Sequence, residues 1–118
     1  MNTRKIGEAY EAAAAVFLEK NGVHILEKNF RCRQGEIDLI GREGEYLVFF
    51  EVKYRRSADA GLPAEAVGAA KQRRICRTAK YYLHRKRLGE SVPVRFDVVA
   101  VCAEHMNWYR NAFDYTEG

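Results

Sequence analysis

A chain of 118 residues is long enough for one core of helices against one sheet and too short for two, so residues 1–118 are read as a single domain. Its 20 basic residues against 16 acidic ones give a net charge of +4, a mild preference for a polyanionic partner in which distribution matters more than the total. Cys32, Cys76 and Cys102 are odd in number and far apart, with no Cys-x-x-Cys or Cys/His cluster, which argues against a disulfide framework or zinc site and for reduced, mostly buried thiols. No signal peptide is read at the start, and the apolar runs, broken by charges, fall short of the ~20 residues a membrane span needs. The expectation is a cytoplasmic protein.

In chain order, GEAYEAAAAVFLEKNG reads as a helix closed by Asn21-Gly22, with Ala9, Ala12, Ala13, Val16 and Phe17 as its buried stripe. Glu8 lies in the first turn, where the helix dipole by itself accounts for an acidic residue. Val23 to Phe30 reads as a strand and Arg31 to Gln34 as a basic turn. Arg31 and Arg33 could meet phosphate, although isolated charges are more often simply solvated.

The centre of the chain is GEIDLIGREGEYLVFFEVKYRR, Gly35 to Arg56. Two segments rich in β-branched, aromatic and leucine residues flank a turn placed at Gly41 to Glu45, which predicts a β-hairpin. Strand alternation puts Glu36 and Asp38 on one face of the first strand and Glu51 and Lys53 on one face of the second. Glu36 sits ~7 Å further along than Asp38, so a salt bridge is at least as good a reading for it as a place beside the other acids. Carboxylates so spaced can hold Mg²⁺ (or Mn²⁺), which prefers oxygen ligands and keeps waters and phosphate oxygens in its shell. A neighbouring lysine can orient the attacking water or stabilise developing charge, giving phosphodiester hydrolysis as the reaction class.

After Tyr54 come Arg55, Arg56 and the loop SADAGLP, and Ala64 to Leu88 then reads as a helix, interrupted near Gly68. From Lys71 to Arg87 it carries Lys71, Arg73, Arg74, Arg77 and Lys80, then Arg85, Lys86 and Arg87, with no acidic residue. Ile75, Cys76, Ala79, Tyr82 and Leu83 form its core stripe. A solvated helix face usually mixes signs, so an unbroken basic face favours phosphate contact. Val94 to Cys102 is a strand, and a last strand falls within NWYRNAFDY. Asp97 interrupts an apolar strand and needs a partner there, an arginine or backbone amides ahead of a catalytic use. His24, His84 and His105 have no metal-ligand spacing, and Trp108, Tyr109 and Phe113 read as core or interface.

Asp38 followed by Glu51-Val52-Lys53 on a hairpin resembles the PD-(D/E)xK motif of restriction enzymes, RecB-type nucleases and archaeal Holliday-junction resolvases. The wider pattern Gly7-Glu8, Asn29-Phe30-Arg31, Gly35-Glu36-Ile37-Asp38-Leu39-Ile40, Phe50-Glu51-Val52-Lys53-Tyr54-Arg55, and Lys71 with Arg74-Ile75 is similar to the YraN family of endonuclease-like proteins over nearly the whole chain. The resemblance implies an α/β, restriction-endonuclease-like fold: a mixed sheet of about five strands with the early helix on one face and the basic helix on the other. It implies a metal-dependent endonuclease acting on nucleic acid, with DNA ahead of RNA and branched or structured DNA as one candidate substrate, with Asp38 and Glu51 as metal ligands, Lys53 assisting the water and Glu8 reaching the metal cluster. Lys71, Arg73, Arg74, Arg77 and Lys80, with Arg55 and Arg56, are the expected nucleic-acid contacts. The resolvases make a homodimer an expectation, since a branched substrate has two-fold symmetry. The alternative is a nucleic-acid-binding module that keeps the motif without cleaving on its own. A third reading makes the charged hairpin a scaffold in which Lys53 bridges Glu51 or Asp38.

Overall fold

The computed structural model describes residues 3–54, 67–89, 91–102 and 105–116. Helix α1 (Thr3–Lys20) is followed by strands β1 (His24–Cys32), β2 (Gly35–Glu43) and β3 (Tyr46–Tyr54), helix α2 (Ala69–Arg85), and strands β4 (Val94–Cys102) and β5 (His105–Phe113). Arg55, Arg56, the loop after them and the expected helix start at Ala64 lie outside the described residues. The five strands form one sheet in sequence order. β3 and β4 are parallel, and the other neighbouring pairs are antiparallel. That one parallel pair requires a crossover connection, which α2 supplies. The result is an α/β mixed sheet flanked by helices, as the sequence suggested.

Each face of the sheet has its own apolar cluster. Ile75, Cys76, Ala79 and Tyr82 of α2 pack with Phe49, Phe96 and Val98, whereas Ala14, Ala15 and Leu18 of α1 pack with Val48, Phe50, Val99 and Val101. The alternation of Phe49 and Phe50 between the two clusters is the two-residue period of a strand buried on both sides. Cys32, Cys76 and Cys102 are free thiols.

Four local expectations need correction. The buried stripe of α1 is Ala14, Ala15 and Leu18, while Ala9, Ala12, Ala13 and Val16 are exposed and Phe17 is half-buried. Gly41 lies inside β2 rather than in the turn, which falls at Gly44 and Glu45. A Cβ at Gly41 would stand 2.7 Å from Val23 Cγ1 and 3.0 Å from the His24 carbonyl oxygen, so glycine is what lets the start of β1 pass so close. Finally, β1 extends to Cys32, through part of the expected basic turn, and α2 stops at Arg85, three residues before Leu88.

Candidate functional site

β2 and β3 pair from Glu43 opposite Tyr46 to Leu39 opposite Phe50. Just beyond, the Asp38 side chain takes over from the ladder, and its Oδ2 accepts a hydrogen bond from the Val52 backbone N–H at 2.8 Å. Regular alternation breaks at the same place, since Ile37 and Ile40 both face the α2 cluster although Leu39 faces α1. The Asp38 carboxylate is thus fixed where the two strands part, beside Glu51.

Glu51 is 5% exposed. Its Oε1 accepts from Lys71 Nζ of α2 at 2.5 Å and lies 3.8 Å from Lys53 Nζ. Two ammonium groups therefore share one carboxylate oxygen, and the side chain of β3, its neighbour two residues on and the first turn of α2 meet there. Burial pushes the Asp38 carboxyl up to about 6, against the Val52 hydrogen bond, and the charge of Glu11 adds to the rise. Burial and then the charge of Asp38 raise Glu51, with Lys71 and Lys53 only partly compensating. Burial and the nearby Lys71 charge lower Lys53. At Lys71 burial acts the other way, but the Glu51 hydrogen bond and charge outweigh it and its pKa is raised. Such opposed shifts are common where groups are arranged for proton or metal chemistry.

The helix carboxylate at this site is Glu11. It faces Asp38 closely enough that each shifts the other's titration, and burial raises its pKa. Its Oε1 is buried with no hydrogen-bond partner. Glu8, one turn earlier, is exposed. Spacing could have pointed to Glu11, because Glu11, Ala14, Ala15 and Leu18 fall on one helical face, but that phase was obscured by the run of alanines.

The remaining candidates are dispersed. Glu36 forms an exposed salt bridge with Arg31 at 3.0 Å, in keeping with the ion-pair reading. Arg73, Arg74, Arg77 and Lys80 are exposed along α2. Asp97 is fully buried and wholly engaged: it accepts from Arg95 Nε at 2.9 Å, Arg95 Nη2 at 2.8 Å, Trp108 Nε1 at 2.8 Å and the Asn111 N–H at 2.9 Å. Arg95 also reaches Glu43 at 2.6 Å, as does Arg110 at 2.8 Å. The Arg110 and Arg95 hydrogen bonds hold the Glu43 carboxyl down at about 2 despite partial burial. Sequence spacing anticipated a partnered Asp97 but not this network, which unites three strands.

Among the described residues, no three His, Cys, Asp or Glu side chains are gathered closely enough to enclose a metal ion. The donors present still fit a hard divalent cation. Asp38 and Glu51 offer two carboxylates whose raised pKa values mark incompletely compensated negative charge, and Glu11 adds a buried oxygen without a partner. Mg²⁺ commonly takes one or two carboxylates and completes its shell with waters and substrate phosphate. No described helix is long and apolar enough to cross a membrane.

Residues 10–101 match the family model described as uncharacterised protein family UPF0102, a span that includes Glu11, Asp38, Glu51, Lys53 and Lys71. A UPF0102 protein of Lachnoclostridium phytofermentans is 52% identical over 114 residues, covering 97% of each chain. One from Marinobacter nauticus is 45% identical over 108 residues, covering 92% of this chain and 87% of that one. One from Chromohalobacter salexigens is 46% identical over 117 residues, covering 96% and 94%. With a family match across most of its length and relatives this similar nearly end to end, the chain belongs to the uncharacterised protein family UPF0102.

Proposed function

We propose that this protein is a divalent-metal-dependent, nuclease-like protein acting on DNA phosphodiesters, with a restriction-endonuclease-like fold of the PD-(D/E)xK kind. The observation that carries the reading is the meeting of Asp38, Glu51 and Lys53 where β2 and β3 part, with both carboxyls raised and Lys53 lowered. A bound Mg²⁺ or Mn²⁺ would lower the pKa of a water and offset charge developing on phosphorus. Asp38 and Glu51 are the residues to hold it, with Glu11 beside them. The Val52 N–H keeps Asp38 in place, so one ligand is oriented before any cation arrives. Lys53 is placed to orient a water or to meet a phosphate oxygen, and its lowered pKa eases a proton hand-off. Lys71 now pairs with Glu51 and would have to yield that carboxylate if a cation took it.

The same ion pairs give weight to a second reading. Glu51 already holds two ammonium groups, which suits a nucleic-acid-binding module that does not cleave on its own. Incubation of the purified protein with single-stranded, duplex, flap and four-way-junction DNA, in Mg²⁺, Mn²⁺ or chelator, separates the two. Metal-dependent products on any substrate that vanish in Glu51→Ala support the nuclease; binding without cleavage on all of them supports the module.

A further inference from the structure

The distal half of α2 leads into a groove of about 680 Å³ whose floor is Ala79, Leu83, Val92, Val94 and Phe96. Its rim carries Lys80, His84 and Arg87, and Tyr115 closes one side. An adjoining hollow, lined in part by Gln34, Arg77 and Tyr81, shares Lys80, His84 and Tyr115 with it. Among the described residues, no carboxylate lines either one. Tyr115 is 44% exposed, and its ring stacks on Phe96 with centroids 6.4 Å apart and planes at 25°. The ring thus lies against Phe96 at the groove wall with nearly half of the residue exposed.

We infer that this groove binds single-stranded nucleic acid, with unpaired bases over the apolar floor and Tyr115 and phosphates on Arg77, Lys80 and Arg87. Charge complementarity selects the occupant: an apolar floor beside Lys80 and Arg87, with Arg77 in the adjoining hollow, suits a ligand that is itself planar and apolar on one side and anionic on the other. A second copy of this chain would bring a surface of mixed sign. Duplex DNA keeps its bases stacked inside and would leave the floor empty, whereas base stacking on aromatic side chains beside a basic track is the usual single-strand mode. Position agrees with this. Arg74, Arg77, Lys80 and His84 wind around α2 at three- or four-residue steps from Lys71, which touches Glu51, and Arg87 lies just past the helix end. At ~1.5 Å per helical residue, Lys80 lies ~13 Å from Lys71 along the axis. The inference rests on the nucleic-acid part of the function proposed above and deepens it, because it assigns the unpaired portion of a substrate to one end of α2.

The test is fluorescence anisotropy in chelator, with a labelled single strand and the same strand in duplex, so that cleavage has no part in the result. Tyr115→Ala is expected to weaken single-strand binding roughly tenfold, the scale of one stacked base, and to leave duplex binding within twofold; Tyr115→Phe should restore it. On the exposed rim, Arg87→Gln should reduce the single-strand salt slope by about 0.7 and leave the duplex slope alone, which keeps the inference testable if the tyrosine variant folds poorly. Equal losses on both forms, no loss on either, or a wild-type protein that binds no single strand would overturn it. So would loss of self-association in Tyr115→Ala, seen by sedimentation with DNA affinity unchanged, since the groove would then belong to a second copy. The hairpin carboxylates enter none of these outcomes, so a metal site that fails leaves this result readable.

Discussion

Two carboxylates on adjacent strands of the same sheet have opposite surroundings. Glu51 pairs in register with Val98, and Asp97 with Phe50, so they are one step apart along the strands and face opposite sides. Asp97 accepts four hydrogen bonds, two of them from one guanidinium, and the same arginine continues to a Glu43 carboxyl held down at about 2. In the other cluster Asp38 is pushed up to about 6 and Glu51 is raised as well, while Glu11 has a buried oxygen with no partner. Burial alone therefore does not distinguish the two clusters. Compensation does: one cluster is saturated with donors and joins strands together, whereas the other retains negative charge that a cation or a proton could satisfy.

The largest effect expected from this contrast is on stability. Asp97→Ala would leave Arg95 with Glu43 alone and the Trp108 N–H and the Asn111 N–H without their acceptor, at ~3–5 kcal/mol, measurable by denaturant unfolding. A loss below ~1 kcal/mol would make the network incidental. On the other face, Lys53→Ala should leave metal and DNA binding in place and reduce cleavage by about 10²-fold or more; undiminished single-turnover cleavage removes Lys53 from the chemistry.

Smaller, and of opposite sign, is Asp38→Asn. A carboxyl whose pKa is raised in the folded state contributes stability below its ordinary value, and that contribution is lost as pH rises through about 6. The asparagine variant should therefore match wild type near pH 4 and exceed it above pH 6, by on the order of 1 kcal/mol, in thermal melts taken across that range. Smallest is Glu43→Gln. Its lowered pKa contributes stability above the ordinary value, lost as pH falls through about 2, so the variant should lose about 1 kcal/mol at neutral pH and converge on wild type in acid. Parallel pH profiles for the two variants would erase the distinction between the clusters.

Much of the fold was legible because strand burial leaves a strong signature. Val94 to Cys102 was bounded by Pro93 and its apolar run, and the structure gives β4 those limits. Asp38, Glu51 and Lys53 were legible as charges inside apolar strands. The facing of α1 was not, because alanine carries little hydrophobic contrast and five of them between residues 9 and 15 let several phases look alike. Leu18 and Tyr10 hold the true phase, and with it Glu11. Lys71 was visible as part of a basic face, but its ion pair with Glu51 depends on how α2 packs over the sheet. Gly41 looked like a turn residue because glycine serves both turns and close approaches, and only the neighbouring Val23 and His24 decide between them.

The central claim is that the Asp38 and Glu51 carboxylates form a cation site and not a structural ion pair. Calorimetric titration of Mn²⁺ or Mg²⁺ into wild type, Asp38→Ala and Glu51→Ala, each also melted in chelator, tests it directly. The account predicts saturable binding by wild type, severe weakening in both variants, and no large loss of melting temperature in either, since removing one of several crowded acids relieves like-charge repulsion. Unchanged metal affinity in both variants together with a large drop in melting temperature would contradict it and make the charged hairpin a scaffold.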